Sequence, residues 1–349
     1  MPTKGILRRV KIMKKIYVLD CTLRDGGYVN NWEFGYDVAK KIIDGLYESG
    51  IRVIEIGIMG KNGELGKSTK FTSLKDAEPL LENRKKDCKY AIMLNQAEAG
   101  NFDIPVRSEK TVDMIRLAYF KAERQNAMIL AKSLKDKGYE VFLQAMATFM
   151  YSDDEMDSML AQINNLAPQA FYIVDSFSNL FPEDIVKMAK NVLSKLDKHI
   201  DFGFHAHNNI QMAFANAIAF MNVESDRNIY IDGSIYGMGR GAGNVPVELL
   251  VDYLNKKEKL YNLEVLLKTY QDYVKPIFEQ YFWGYTHPYF LTASKDMNSV
   301  YGWYFMNNGI NDIVQLNKAL DMIKDTSKYT LMKDEAAEAV KKSKVKINE

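Results

Sequence analysis

Asp201-Phe-Gly-Phe-His205-Ala-His207 reads as a strand that carries two histidines two positions apart. A strand sends successive side chains to opposite faces, so both imidazoles point the same way and form a ready pair of metal ligands. Outward from it, short β-branched or aromatic runs recur at 16–23, 53–57, 90–94, 114–118, 140–147, 171–175 and 229–235, which makes eight in all. Amphipathic stretches lie between them, such as Val38, Ile42, Ile43, Leu46 and Tyr47, or Ile185, Met188, Ala189, Val192 and Leu193. Each is one face of a helix that would pack on a sheet. Alternating strands and helices predict a parallel α/β sheet, and eight such units close into a TIM (β/α)8 barrel.

The 349 residues are more than one barrel needs, so a barrel over 13–255 with a C-terminal helical appendage over 256–349 is expected. Residues 1–12 precede the run Met13-Lys-Lys-Ile-Tyr-Val that opens the first strand, and are expected to be disordered or vector-derived. The 46 basic and 45 acidic residues nearly cancel, which argues against nucleic acid as a partner. Cys21 and Cys88 are too few for a disulfide framework or a structural zinc site and fit a reducing, cytoplasmic setting, with Cys21 as core filler. The basic start lacks the apolar run of a signal peptide, and no segment reaches the roughly 18 apolar residues of a membrane span. Strand signals stop near 255, and the aromatic run Tyr281-Phe-Trp283-Gly-Tyr285-Thr-His287-Pro288-Tyr289-Phe290 is expected in a core or an interface. The charged tail from Ala336 is expected to fray.

Barrel active sites lie at the carboxyl ends of the strands, and the notable polar residues of this chain fall there. Arg24 and Asp25 follow the first strand, Glu55 is late in the second, Asp175 and Ser176 end the sixth, and His205 and His207 end the seventh. The run Gly237-Met-Gly239-Arg-Gly241-Ala-Gly243-Asn244 follows the eighth. Two imidazoles and the Asp25 carboxylate would hold a divalent ion with positions left open for substrate. Mn²⁺ or Mg²⁺ suits the hard oxygen ligands, while the imidazoles also permit Zn²⁺ or Co²⁺. The competing reading is a pair of structural histidines. Arg24 can neutralise an enolate oxygen, or form a salt bridge to Glu55 or Asp175, or do both with one of these carboxylates orienting it. The glycine run satisfies a loose dinucleotide pattern, but it follows the last strand instead of opening a βαβ unit, which argues against nucleotide binding. Its glycines would let the backbone approach substrate and bring Asn244 to the metal; the alternative is a tight turn with Asn244 capping the helix at Pro246.

Residues 16–255 resemble the DRE-TIM metallolyase superfamily. Leu23-Arg24-Asp25-Gly26 resembles its signature, His205-Ala-His207 its metal histidines, and Gly239-Arg-Gly-Ala-Gly243-Asn244 its glycine loop with a further ligand. Gly-Ala-Gly-Asn-Val-Pro-Val-Glu and the later Tyr273-Val-Lys-Pro276 with Gly284-Tyr285 are closest to the 4-hydroxy-2-oxovalerate aldolase branch. That resemblance implies a metal-dependent aldolase that releases pyruvate from a 4-hydroxy-2-oxo acid through an enolate. It also implies an aldehyde dehydrogenase partner docked near the appendage and a stereochemical role for Tyr285. A homodimer is a further expectation for the appendage.

One position departs from the branch: where it has a histidine base, three residues after the metal aspartate, this chain has Tyr28. Tyr28 acting through water, or His287 from the appendage, would have to move the proton, unless Tyr28 only packs in its loop. Two other functions compete with the aldolase. One is acyl-CoA condensation or cleavage, as in isopropylmalate synthase or 3-hydroxy-3-methylglutaryl-CoA lyase. The other is a non-catalytic metal-binding barrel that serves a partner enzyme.

Overall fold

The computed structural model describes residues 15–344, so the expectation for residues 1–12 lies outside the described residues. The strands are β1 Ile16–Asp20, β2 Val53–Met59, β3 Lys70–Phe71, β4 Lys89–Asn95, β5 Met114–Tyr119, β6 Glu140–Ala145, β7 Ala170–Asp175, β8 Asp201–Ala206 and β9 Ile229–Gly233. They run parallel in the order β1-β9-β8-β7-β6-β5-β4-β2, and β1 pairs with β2 through Leu19 and Val53 to close the ring. The eight barrel strands are the eight expected from the sequence. The short β3 adds to the end of β2, with Ile58 beside Lys70.

Period two explains how the barrel interior is built. Leu19, Val53, Ala91, Met114, Phe142, Ala170 and Tyr230 share the inward face and form a dry plug of fully or almost fully buried side chains. Each such burial contributes about 1.5–3 kcal/mol for a side chain of valine size or larger. Two residues further along the same strands the inward positions turn polar: Glu55, Arg116, Gln144 and Asp232, all buried. The outward face carries Ile54, Ile92, Leu117, Leu143, Ile173 and Phe204, packed against the helices in the main core.

The helix Tyr36–Glu48 buries Ala39, Ile42, Ile43 and Leu46, and Pro182–Lys195 buries Ile185, Ala189 and Val192. Val38, Tyr47, Met188 and Leu193, expected on the same faces, pack at the rim. The expectation of a helix in every crossover fails between β4 and β5, where a 3₁₀ segment, Gln96–Asn101, leads into extended chain. Pro105 and the polar run after it lack helical spacing.

Beyond the last barrel helix, Val247–Asn255, the chain divides its packing. Leu266, Val274 and Trp283 join the barrel's outer core. The helices His287–Ser294, Val300–Asn307, Ile313–Asp321 and Lys333–Lys344 enclose a second core of residues such as Tyr301, Phe305, Leu316 and Leu320. The tail does not fray at Ala336: Ala336 and Ala339 are buried in that second core, because small residues at helical spacing let the last helix approach closely. Among the described residues no helix is long and apolar enough to cross a membrane.

At the end of β1, Asp20 accepts hydrogen bonds from the Thr22 amide and hydroxyl, both at 2.9 Å, and burial pushes its carboxyl up to about 7. Folding therefore takes up a proton there between the ordinary carboxylate range and pH 7. The stability this group carries is full below about pH 4 and falls as pH rises through 7. Asp20→Asn removes that loss. Urea unfolding should show the variant gaining on the parent by up to about 1.4 kcal/mol per pH unit between pH 5 and 7. A difference independent of pH would show that Asp20 folds in its charged form.

Candidate functional site

The turn after β1 presents Arg24 and Asp25, and it is shaped by a residue that follows it. Asn31 and Trp32 both adopt left-handed backbone, φ 54° and 59°, an uncommon pair for non-glycine residues. The reversal folds the indole back under the turn, where its Nε1–H donates to the Arg24 carbonyl at 2.6 Å. Gly27 lies flat on that ring; a Cβ there would stand 2.0 Å from the indole Cδ1. The Thr69 hydroxyl donates to the Leu23 carbonyl at 2.7 Å and fixes the other side of the turn.

Asp25 meets the two histidines of β8 and its continuation. Ligand atoms of Asp25, His205 and His207 lie within 4.8 Å of one another, and His207 Nε2 is 3.6 Å from Asp25 Oδ2. Each imidazole is oriented from behind. His205 Nδ1 contacts Asp232 Oδ2 at 2.9 Å, and His207 Nδ1 contacts the Asp175 carbonyl at 3.0 Å. A carbonyl or a carboxylate can only accept, so Nδ1 carries the proton in both rings and Nε2 offers its lone pair. Burial lowers His205 to about 4, which keeps it neutral. Burial alone would raise Asp25, but the Arg24 guanidinium holds its carboxyl well below the usual range.

Asn244 enters through the glycine loop. Its Nδ2 donates to the Met238 carbonyl at 3.0 Å, while its Oδ1 has no partner and it caps no helix. Gly239 makes this approach possible, since a Cβ on it would stand 2.3 Å from Asn244 Nδ2 and 2.9 Å from Asp25 Oδ2. Asp25 Oδ2, His205 Nε2 and Asn244 Oδ1 are all buried without a hydrogen-bond partner. Unsatisfied buried polar atoms cost about 1–3 kcal/mol each, and a divalent cation would satisfy all three together. The residues therefore fit a metal ion with mixed nitrogen and oxygen ligands.

Behind these atoms runs a chain of buried ion pairs. Arg24 bonds Asp25 through Nη1 and Glu55 through Nε at 2.7 Å. Arg116 bonds the same Glu55 oxygen at 2.7 Å and also Asp232 Oδ2, which holds His205. Asp25, Glu55 and Asp232 against Arg24 and Arg116 leave one net negative charge, which suits a bound cation. Arg116 and Asp232 were not singled out from the sequence. The signal was present, because a strand buried on both faces reads as almost continuously apolar, and Met114-Ile-Arg116-Leu and Ile229-Tyr-Ile-Asp232 each break that pattern once.

A cavity of about 670 Å³ opens over this centre. Tyr28, Gly239 and Arg240 line its barrel side, and Trp303 of helix Val300–Asn307 with Tyr329 and Leu331 of the loop before Lys333–Lys344 line its roof. Tyr28 is 46% exposed at the cavity wall, and desolvation, with the Asp25 carboxylate, raises its phenol above the ordinary 10 against the effect of Arg240. Tyr285 and His287 stand elsewhere. Both are exposed and line a separate cavity with Met306 and Leu316, so the fold does not bring them to Asp25.

Residues 15–272 match the HMGL-like family. An oxaloacetate decarboxylase of Mycobacterium tuberculosis is 27% identical over 252 residues, 70% of this chain and 71% of the relative. A 4-hydroxy-2-oxovalerate aldolase of Thermomicrobium roseum is 28% identical over 245 residues, 68% of this chain and 66% of the relative. The N-terminal domain of a candidate aldolase from Bacteroides vulgatus superposes with a TM-score of 0.71 at 30% identity, covering 86% of this chain and 99% of that one.

The ion-pair chain predicts a metal phenotype for a residue that does not touch the metal. Asp232→Asn should weaken divalent-metal binding by about 10–100-fold, since it removes the charge that orients His205. Calorimetric titration with Mn²⁺ measures it, with circular dichroism as the check on folding. Unchanged affinity would show that His205 needs no carboxylate behind it.

Proposed function

The chain belongs to the HMGL-like family, and from that membership and the geometry of the site we propose that it is a divalent-metal-dependent carbon–carbon lyase of the DRE-TIM metallolyase superfamily. Its substrate in this reading is a small 2-oxo acid, with a 4-hydroxy-2-oxo acid giving pyruvate and an aldehyde. The observation that carries the reading is the set of buried, unpartnered atoms on Asp25, His205 and Asn244 beside Arg24. Asp25, His205, His207 and Asn244 would hold a divalent ion, Mg²⁺ or Mn²⁺ by preference for oxygen ligands, which would supply Lewis-acid polarisation of a 2-oxo group.

The chain's own residues do the rest. Arg24 is fixed by Glu55 and Asp25 but keeps Nη2 without a partner, a donor available to the negative charge that develops on the 2-oxo oxygen as the bond breaks. Glu55 positions Arg24. Tyr28, held protonated at neutral pH, is a proton donor. In the direction of bond formation it would protonate the aldehyde oxygen; in cleavage its phenolate would take the 4-hydroxyl proton.

The mouth separates this reading from acyl-CoA chemistry. Its charged lining residues are Glu98, Glu123 and Arg240, an excess of negative charge that disfavours a phosphate-bearing carrier. Tyr28 itself favours a second reading of the same centre, decarboxylation of a 2-oxo diacid. Loss of CO₂ needs no base, only a donor to protonate the carbon left behind, and a relative carries the name oxaloacetate decarboxylase. Tyr281, Phe282 and Tyr285 are exposed, and we assign this aromatic stretch of the appendage to contact with a second copy or an aldehyde dehydrogenase partner.

Proton NMR of pyruvate's methyl group in D₂O tests the enolate. Exchange should require Mg²⁺, disappear with EDTA, and fall about 10²–10³-fold in Arg24→Ala. Absence of exchange in the metal-loaded protein would overturn the reading. The pH profile then separates the two reactions. Cleavage of a 4-hydroxy-2-oxo acid through the Tyr28 phenolate should speed up about tenfold per pH unit from 7 towards 10, because the raised phenol must lose its proton. Decarboxylation that uses the phenol as donor should be flat over that range, and Tyr28→Phe should slow either reaction while leaving metal binding intact.

A further inference from the structure

The cavity over the metal ligands is far larger than the smallest substrates of the proposed reaction require. A volume of about 670 Å³ is of the size that encloses a drug-sized ligand, whereas a five-carbon hydroxy-oxo acid has only nine non-hydrogen atoms. The space borders the centre, since Tyr28 and Gly239 line it and Gly239 abuts Asp25 and Asn244. Its lining includes a set of apolar side chains: Phe120 and Met146 from the loops after β5 and β6, and Val300, Trp303 and Leu331 from the C-terminal region.

The roof is built for this face. Tyr301 and Phe305 of helix Val300–Asn307 are buried in the second core, while Trp303 between them turns off that stripe, remains 53% exposed and lines the cavity. Tyr329 is held by a parallel stack on Phe177, with centroids 5.8 Å apart. Large aromatic groups left exposed beside a buried polar centre mark a surface that a ligand covers. The lining's excess negative charge excludes an anionic tail, and Arg240 already donates to the Ser176 carbonyl at 2.9 Å.

We infer that the part of the substrate distal to the 2-oxo acid is bulky, neutral and apolar, so that the aldehyde handled here is an aryl or long-chain aldehyde seated between Phe120 and Met146 below and Trp303 and Tyr329 above. The inference rests on the aldolase reading of the same site.

The test runs bond formation with pyruvate and Mg²⁺ against a series from acetaldehyde to phenylacetaldehyde and octanal, alongside pyruvate methyl exchange on the same preparation. The larger aldehydes should exceed acetaldehyde in kcat/KM by tenfold or more, the range that hydrophobic pockets achieve. Trp303→Ala, at a half-exposed position that the fold tolerates, should lower the ratio of phenylacetaldehyde to acetaldehyde about tenfold. Methyl exchange with no preference for larger aldehydes, or with no aldehyde turnover at all, would overturn this inference and leave the metal-centred reading standing. No methyl exchange would overturn both.

Discussion

Arg116 is the constraint on which the site depends. It is completely buried, its guanidinium lies 5.0 Å from the centre of the Tyr172 ring, and it spans the barrel from Glu55 on β2 to Asp232 on β9. The fork of a guanidinium satisfies two carboxylates in fixed directions, which the point charge of a lysine would not do. Through those carboxylates it sets Arg24 on one side and His205 on the other. The arrangement is a poor source of stability, because buried ion pairs lose in desolvation most of what they gain in attraction. It gives a unique geometry to groups that would otherwise repel or wander, and the apolar plug beneath it supplies the stability.

The barrel was legible because parallel strands buried on both faces must be short apolar runs, and the helices between them must carry one apolar stripe. That reasoning located all eight barrel strands and the stripes of helices such as Tyr36–Glu48. It gave no warning of the β4–β5 crossover without an α-helix, since loops carry no periodic signal, nor of the burial of Ala336 and Ala339 in the helix Lys333–Lys344, whose alanines look like a solvated face until a second core exists for them to enter. In the site, Asp25 and the two histidines were visible because the topology puts strand ends together. Tyr285 and His287 were nominated by resemblance and by chemistry, and no spacing rule could show that the appendage carries them to a different cavity. Arg116 and Asp232 were missed for the opposite reason, lying within strands that were read only for their hydrophobicity.

The C-terminal region does two mechanically different things. Residues up to Trp283 extend the barrel's own outer core, and Trp283 Nε1–H donates to the Tyr236 carbonyl at 3.0 Å, tying the segment to the 3₁₀ turn after β9. The helices beyond have a separate core, yet they touch the mouth at several points. Asn179 Nδ2 donates to Asp296 at 2.8 Å, and Tyr329 stacks on Phe177. A unit with its own core and few polar ties to the barrel can change its approach without disturbing the ion-pair layer. It is the part of the chain free to set what the mouth accepts.

Tyr28 is where the chemistry of the centre and the demands of the mouth meet. A phenol whose desolvation outweighs the effect of the Arg240 guanidinium, 5.8 Å from its ring centre, is held as the neutral acid. A neutral acid at this position does most for steps that end in a negatively charged oxygen or carbon, and least for steps that begin by removing a proton from a hydroxyl group. Bond formation between a pyruvate enolate and an aldehyde ends in an alkoxide; cleavage begins by removing the hydroxyl proton. At neutral pH this residue therefore enters joining as the acid that quenches the alkoxide; splitting passes through the same states in reverse, so its protonation sets the pH dependence of both directions while the equilibrium sets their ratio, and the apolar space beyond it would receive the aldehyde that is joined.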